Sequence, residues 1–209
     1  MTFKQAISNF RGDYRQNTHY NISWSNFVWR ALIGISPLWS LLLWFRLAKV
    51  NNFLLAWPAR VLYKFYSSYY KIAISWRTDI GEGLCLGDGM CMVVNPMTKI
   101  GKNCNLSQFV NIGTNHNTPA IIGDYVYIGP MTCIVENVNA KNNGIKGKDC
   151  INVTDGNITI NSKAIIGNNV TIGAGSVVTK DIPDNATVAG VPARVLNYNN
   201  PGRYVWHAD

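Results

Sequence analysis

The chain has 209 residues, enough for one large domain or two small ones with a full core. Its net charge of +8 is uneven: residues 1–77 carry ten Lys or Arg against Asp13 alone, and residues 78–209 carry nine basic and ten acidic side chains. The basic character lies in the N-terminal part, which holds no nucleic-acid recognition motif, so nucleic acid is not the expected partner.

Residues 1–73 read as mostly helical, interrupted around 17–21, at Pro37, at Asn51-Asn52 and at Pro58. The apolar run 31–45 is shorter than the roughly 20 residues a spanning helix needs, contains Pro37 and ends at Arg46. It lies too far from Met1 for the apolar core of a cleaved signal peptide. Six of the seven Trp fall in residues 1–77 (Trp24, Trp29, Trp39, Trp44, Trp57 and Trp76). Two readings of residues 1–77 stay open: a helical cap on the domain that follows, or a monotopic element with aromatic and basic residues in a membrane interface. The expected location is the cytoplasm, with peripheral contact at the inner face of the membrane under the second reading.

From residue 74 the sequence keeps a beat of six, with aliphatic residues at Ile80, Leu86, Ile100, Leu106, Ile112, Ile122, Ile128, Ile134, Ile166, Ile172 and Val178. Gly often follows the aliphatic residue, and small or β-branched residues such as Val110, Val126, Thr132, Val138, Val170 and Ser176 fill a second slot. This repeat predicts a parallel β-helix over 74–196, three hexads to a triangular coil, with the glycines placed at tight corners. A sandwich would show turn signals every 8–12 residues instead.

The beat shifts phase near Met92–Val94 and breaks at 114–121 (TNHNTPAI), then again over about 139–163, where Ile158 and Ile160 suggest a short hairpin. Loops leaving a rigid scaffold are where chemistry usually sits. The coil is expected to end after Thr179, with the chain turning outward over 180–185 and the tail from Pro192, including 197–209, capping the last coil. The five cysteines, Cys85, Cys91, Cys104, Cys133 and Cys150, form no CxxC pair, so small apolar fillers are expected and no metal site.

The stretch 166–196 (IGNNVTIGAGSVVTKDIPDNATVAGVPARVL) resembles the C-terminal signature of hexapeptide-repeat acyltransferases. With 95–129 (NPMTKIGKNCNLSQFVNIGTNHNTPAIIGDYVYIG) it most resembles the serine acetyltransferase-like branch, which includes members that acetylate sugars in polysaccharide assembly. The resemblance implies a mainly β fold, a left-handed parallel β-helix with an N-terminal helical region and a C-terminal capping tail. It also implies a homotrimer with acetyl-CoA as co-substrate in the grooves between neighbours. Carried across by motif, the cofactor contacts fall at Gly129, Pro130, Ala174 and Gly175, with Lys180 and Arg194 placed to neutralise the nucleotide phosphates. The two glycines are equally readable as turn residues, and the two cations as solvated charges.

Acetyl transfer to a hydroxyl needs a base, and the chain offers His19, His116 and His207. His116 sits in the first break, ahead of Pro119 and Ile122-Gly123-Asp124, where the resemblance places the catalytic His. A second His that the serine acetyltransferase-like pattern carries just ahead of the VVNP segment is replaced here by Asp88. Asp88 either orients His116 across a subunit interface or is a turn residue beside Gly89. The expected function is O-acetyl transfer to a sugar hydroxyl of an envelope polysaccharide, with serine as the rival acceptor and an inactive trimeric scaffold as the alternative of another class.

Overall fold

The computed structural model describes residues 1–23, 25, 27, 37–87, 89–113, 119–135, 151–154, 157–160 and 164–207. Asp88, His116, Val138, Cys150 and much of the 139–163 excursion lie outside the described residues.

Two-residue strands stack into three parallel faces of a prism. The first face comprises Ala73–Ile74, Val93–Val94, Asn111–Ile112, Cys133–Ile134 and Val177–Val178. Asp79–Ile80, Lys99–Ile100, Ile121–Ile122 and Ile165–Ile166 make the second. The third contains Cys85–Leu86, Asn105–Leu106, Tyr127–Ile128, Thr171–Ile172 and Thr187–Gly190, and Ala193–Asn197 adds an antiparallel edge.

Two residues of each hexad point inward: the aliphatic residue of the beat and the one two positions before it. Ile80 with Thr78, Leu86 with Leu84, Ile112 with Val110 and Ile172 with Val170 are all buried, and their columns form one continuous core. The hexads are not evenly spaced. Leu86 to Val94 spans eight residues, which is the phase shift read in the sequence, and the two larger breaks both leave from the corner between the first and second faces. Within the longer one, Ile151–Thr154 pairs antiparallel with Asn157–Ile160, the hairpin foreseen there.

The glycines do a different job from the one expected. Gly81, Gly101, Gly123 and Gly129 do not adopt left-handed backbone; that conformation falls three residues before the inward aliphatic, at Gly83, Cys91, Asn103, Phe109, Tyr125, Met131, Asn169, Gly175 and Asn185. The glycine that follows the strand is required by coil-to-coil approach. A Cβ on Gly101 would lie 2.5 Å from the Gly123 carbonyl oxygen, and one on Gly123 would lie 2.8 Å from that of Gly167. Corners into the second face lack the left-handed residue and are closed by side chains, as where Met97 N–H donates to Asn95 Oδ1 at 2.9 Å. We expect Gly101→Ala to lower stability by about 3 kcal/mol, since backbone must move. Gly175→Ala, with φ of +66° and nothing within 4 Å, is expected to lose only about 1 kcal/mol. Urea unfolding of the two variants checks the contrast.

The second-to-third corner is tied by a ladder of carboxylate and amide side chains. Lys102 N–H donates to Asp124 Oδ1 (2.7 Å), Asp124 N–H to Asn168 Oδ1 (2.9 Å) and Asn168 N–H to Asp184 Oδ1 (2.7 Å). This ladder carries the prism past Thr179, where the sequence suggested it would stop. Ile182 bridges to Ile166, and Ala186 and Val188 are fully buried, so one more coil runs to Gly190. The tail departs from expectation too. Ala193–Asn197 covers the last strand, but residues 199–207 turn back along the third face, where Tyr204 packs on Tyr127 and His207 stacks on Tyr125.

Among the described residues, three helices close the other end: α1 (Phe3–Thr18), α2 (Pro37–Leu47) and α3 (Phe53–Tyr69). Thr2 and Gln5 form a capping box on α1, and Asn52 caps α3. Pro37 begins a helix and Pro58 lies inside one, so neither interrupts. Pro58 removes the bond to the Leu54 carbonyl, and Leu54 is 80% exposed, so water can satisfy that group. The helices dock on the first coil through a fully buried ion pair. Arg46 donates to both carboxylate oxygens of Asp13 (2.7 and 2.8 Å) and to the carbonyls of Ile80 and Gly81, and Leu84 N–H donates to Asp13. The inner faces of these helices thus build a cap on the first coil, which does not bear on the membrane-interface reading of their outer faces.

Candidate active site

The four cofactor positions expected at the coil corners do come together. Gly129 and Pro130 follow the third-face strand Tyr127–Ile128, and Ala174 and Gly175 follow Thr171–Ile172 one coil further on. Gly129 N–H donates to the Ile172 carbonyl at 2.9 Å and Gly175 N–H to the Pro130 carbonyl at 2.8 Å. A Cβ on Gly129 would sit 2.7 Å from Ala174 N, so this glycine is needed by the stacking whatever binds outside it. Ala174 and Gly175 are exposed, which leaves a backbone-lined edge open to solvent.

Arg194 belongs to the same edge. It is the antiparallel partner of Ala189, and Ala189 Cβ lies 3.0 Å from where a Cβ on Gly173 would be. Lys180 does not share that edge: it is exposed just after Val177–Val178, at the corner between the first and second faces. The chain segments around the two candidate catalytic residues divide in the same way. Gly87 and Gly89, which flank Asp88, lie at the third-to-first corner of the first coil; Gly113 and Pro119, which bracket the His116 segment, lie at the first-to-second corner. The two sets therefore edge opposite sides of the first face.

The other two histidines are engaged elsewhere. His19 is the left-handed C-cap of α1, with its ring against Trp206, and His207 stacks on Tyr125 at 4.7 Å. Among the described residues no group of three or more His, Cys, Asp or Glu gathers. Cys104 is fully buried, and burial pushes its thiol up to about 12; burial, and then the Asp13 charge, does the same at Cys85. Neither supplies a thiolate at neutral pH, in keeping with their expected role as fillers.

One feature of this edge was missed in the sequence. Met90, Phe109 and Met131 are 49%, 52% and 63% exposed and stack on successive coils beside the cofactor positions, with Phe109 N–H donating to the Met90 carbonyl. Phe109 and Met131 hold φ of about +60°, a conformation costly for side chains of this kind. The shared position of Phe109 and Met131, three residues before Ile112 and Ile134, was the signal available; Met90 lies four before Val94.

No family model matches the chain. A galactoside O-acetyltransferase of Escherichia coli (strain K12) is 37% identical over 153 residues, covering 69% of this chain and 62% of its own length. A serine acetyltransferase of Synechococcus elongatus is 32% identical over 122 residues, 56% of this chain and 39% of the relative. The chain thus spans less than two thirds of these curated relatives. Among solved structures, a serine acetyltransferase in complex with CoA superposes with a TM-score of 0.62 at 20% identity, covering 93% of this chain and 71% of the other. The chain is thus similar in sequence and in fold to hexapeptide-repeat acyltransferases. Its prism is the left-handed parallel β-helix of that family, with the helical region at its N-terminal end.

Proposed function

We propose that this chain is an acetyl-CoA-dependent O-acetyltransferase that works as a homotrimer. The observation that carries the reading is the edge where Gly129 and Pro130 stack under Ala174 and Gly175, the last two exposed, next to an apolar ridge open to solvent. An edge is not a groove; a second prism laid against Met90, Phe109 and Met131 would make one, and bury the three side chains as well. In such a groove the Arg194 guanidinium of the same edge neutralises nucleotide phosphate. Lys180, at the far side of the first face, would reach the cofactor bound at the neighbouring edge of another subunit.

The chemistry assigned is direct transfer. His116 takes the acceptor hydroxyl proton, the oxygen attacks the thioester carbonyl, and a backbone N–H at a coil corner stabilises the tetrahedral oxyanion. Collapse expels CoA as thiolate, and the imidazolium returns the proton to it. Asp88, carried to the third-to-first corner of another subunit, would orient the imidazole.

For the acceptor, the likeness leans toward serine rather than the polysaccharide sugar expected from the sequence, because the solved neighbours bear the serine acetyltransferase name over more than nine tenths of this chain. A sugar acceptor keeps one specific support, the similarity to a galactoside O-acetyltransferase. Thiol release from acetyl-CoA, followed with L-serine and with a galactoside in parallel, separates the two. Turnover of serine alone is the expected result, and turnover of the galactoside alone would reverse the assignment. Tight CoA binding with neither acceptor consumed would favour a silent scaffold.

A further inference from the structure

Helix α3 is built inside out for a helix facing water. Its buried side consists of Ala56, Ala59, Tyr63 and Ser67, mostly small, while the opposite side carries the large apolar residues. Leu54, Val61 and Phe65 are 80%, 53% and 66% exposed, flanked by Trp57 at 58% and Tyr69 at 67%. At 3.6 residues per turn these five fall on one broad face, the reverse of the usual amphipathic arrangement. Pro58 lies on this same side, so the face is not being kept ready for extension of the core.

The charge around it is mainly of one sign, with one exposed carboxylate, Asp79, near Trp76 and Arg77. Residues 1–77 contain a single carboxylate, Asp13, and that one is buried against Arg46. Lys64 and Lys71 are exposed, and Arg60 and Arg77 lie over the Trp76 ring at 4.1 and 4.9 Å from its centroid. No helix of the described residues is long and apolar enough to cross a membrane.

We propose that the outer face of α3 lies in the interface of an anionic lipid bilayer, with Leu54, Val61 and Phe65 among the acyl chains and the surrounding Lys and Arg at the headgroups. Charge complementarity selects this occupant. A second copy offering the same face would bring two predominantly cationic surfaces together, whereas anionic headgroups neutralise one. A helix of this form rests in the plane of the interface instead of spanning it. The assignment is independent of the acetyl transfer proposed above, and it places the prism at a membrane surface.

Co-sedimentation of the full chain with mixed phosphatidylglycerol–phosphatidylcholine vesicles tests it, with pure phosphatidylcholine vesicles as the comparison. The wild type is expected to bind the mixed vesicles, to bind neutral ones weakly and to be released by salt. The double variant Leu54→Ser/Phe65→Ser should partition at least about tenfold less, with an unchanged melting temperature. Should that variant fail to fold, Lys64→Gln/Lys71→Gln serves instead and should lose the preference for anionic vesicles. Wild-type protein that ignores the mixed vesicles overturns the proposal. So does binding that the folded double variant retains, or a vesicle-free assembly that the double variant dissolves while vesicles are ignored, which would assign the face to a second copy. Acetyl transfer measured on the same samples without vesicles should be the same in wild type and variants, so loss of vesicle binding and loss of transferase activity are separately visible.

Discussion

His116→Ala is expected to lower acetyl transfer by about 100- to 10,000-fold while leaving CoA binding and the melting temperature in place. Acyl transfer to a hydroxyl needs a group that takes a proton near neutral pH, and the chain has three histidines. Two of them have structural work: His19 terminates α1, and His207 is stacked on Tyr125 along the third face. The remaining one belongs to a segment bracketed by Gly113 and Pro119, at a coil corner next to the first face. Single-turnover transfer and CoA titration on the same preparation separate chemistry from binding. Transfer at the wild-type rate would remove His116 from the mechanism. Asp88→Asn refines the test: an orienting role predicts a fall in kcat with little change in KM, and a turn role predicts neither.

Asp13→Ala is expected to cost about 3–5 kcal/mol of folding stability, and Arg46→Ala a similar amount, because each leaves a charge buried with its partner gone. The loss is larger than for a surface pair, since both side chains are fully buried and every strong contact is accounted for. Arg46 spends its donors on Asp13 and on the carbonyls of Ile80 and Gly81, and Asp13 also accepts from Leu84 N–H. These contacts join α1, α2 and the first coil at one point. The double variant Asp13→Ala/Arg46→Ala is expected to lose less than the sum of the single ones, because no lone charge remains and only the Leu84 N–H and two carbonyls lose partners. Urea unfolding of the four proteins gives the cycle. Additive losses would mean that the pair is not the unit of docking.

The prism could be read from the sequence because its core is written locally. Every inward position recurs within a coil, so Ile80, Ile100 and Ile122 announce the second face without knowledge of any partner. The candidate cofactor corner came from the family resemblance, and the beat adds only that Pro130 and Ala174 occupy matching places after matching strands. What the beat could not reveal were contacts between residues far apart in sequence with no repeat to link them. Asp13 and Arg46 are 33 positions apart on different helices, and nothing local distinguishes Arg46 from a cation at a helix end. The return of the tail along the third face depends on single contacts, such as Asn105 Nδ2 donating to the Tyr204 carbonyl across 99 positions. Overreading of glycine had a different origin: the residue that tolerates any backbone angle is equally the residue that leaves space, and only the stacked coils show that space is what Gly101 and Gly129 supply.

In the proposed trimer, an open, backbone-lined edge becomes a coenzyme groove when copies of the prism assemble. Sedimentation velocity of the full chain with CoA, read at the adenine absorbance, addresses both halves at once. The expected result is a boundary at three times the chain mass that carries CoA with it, one per subunit. A boundary at the mass of a single chain, with all CoA left in the solvent, would contradict it.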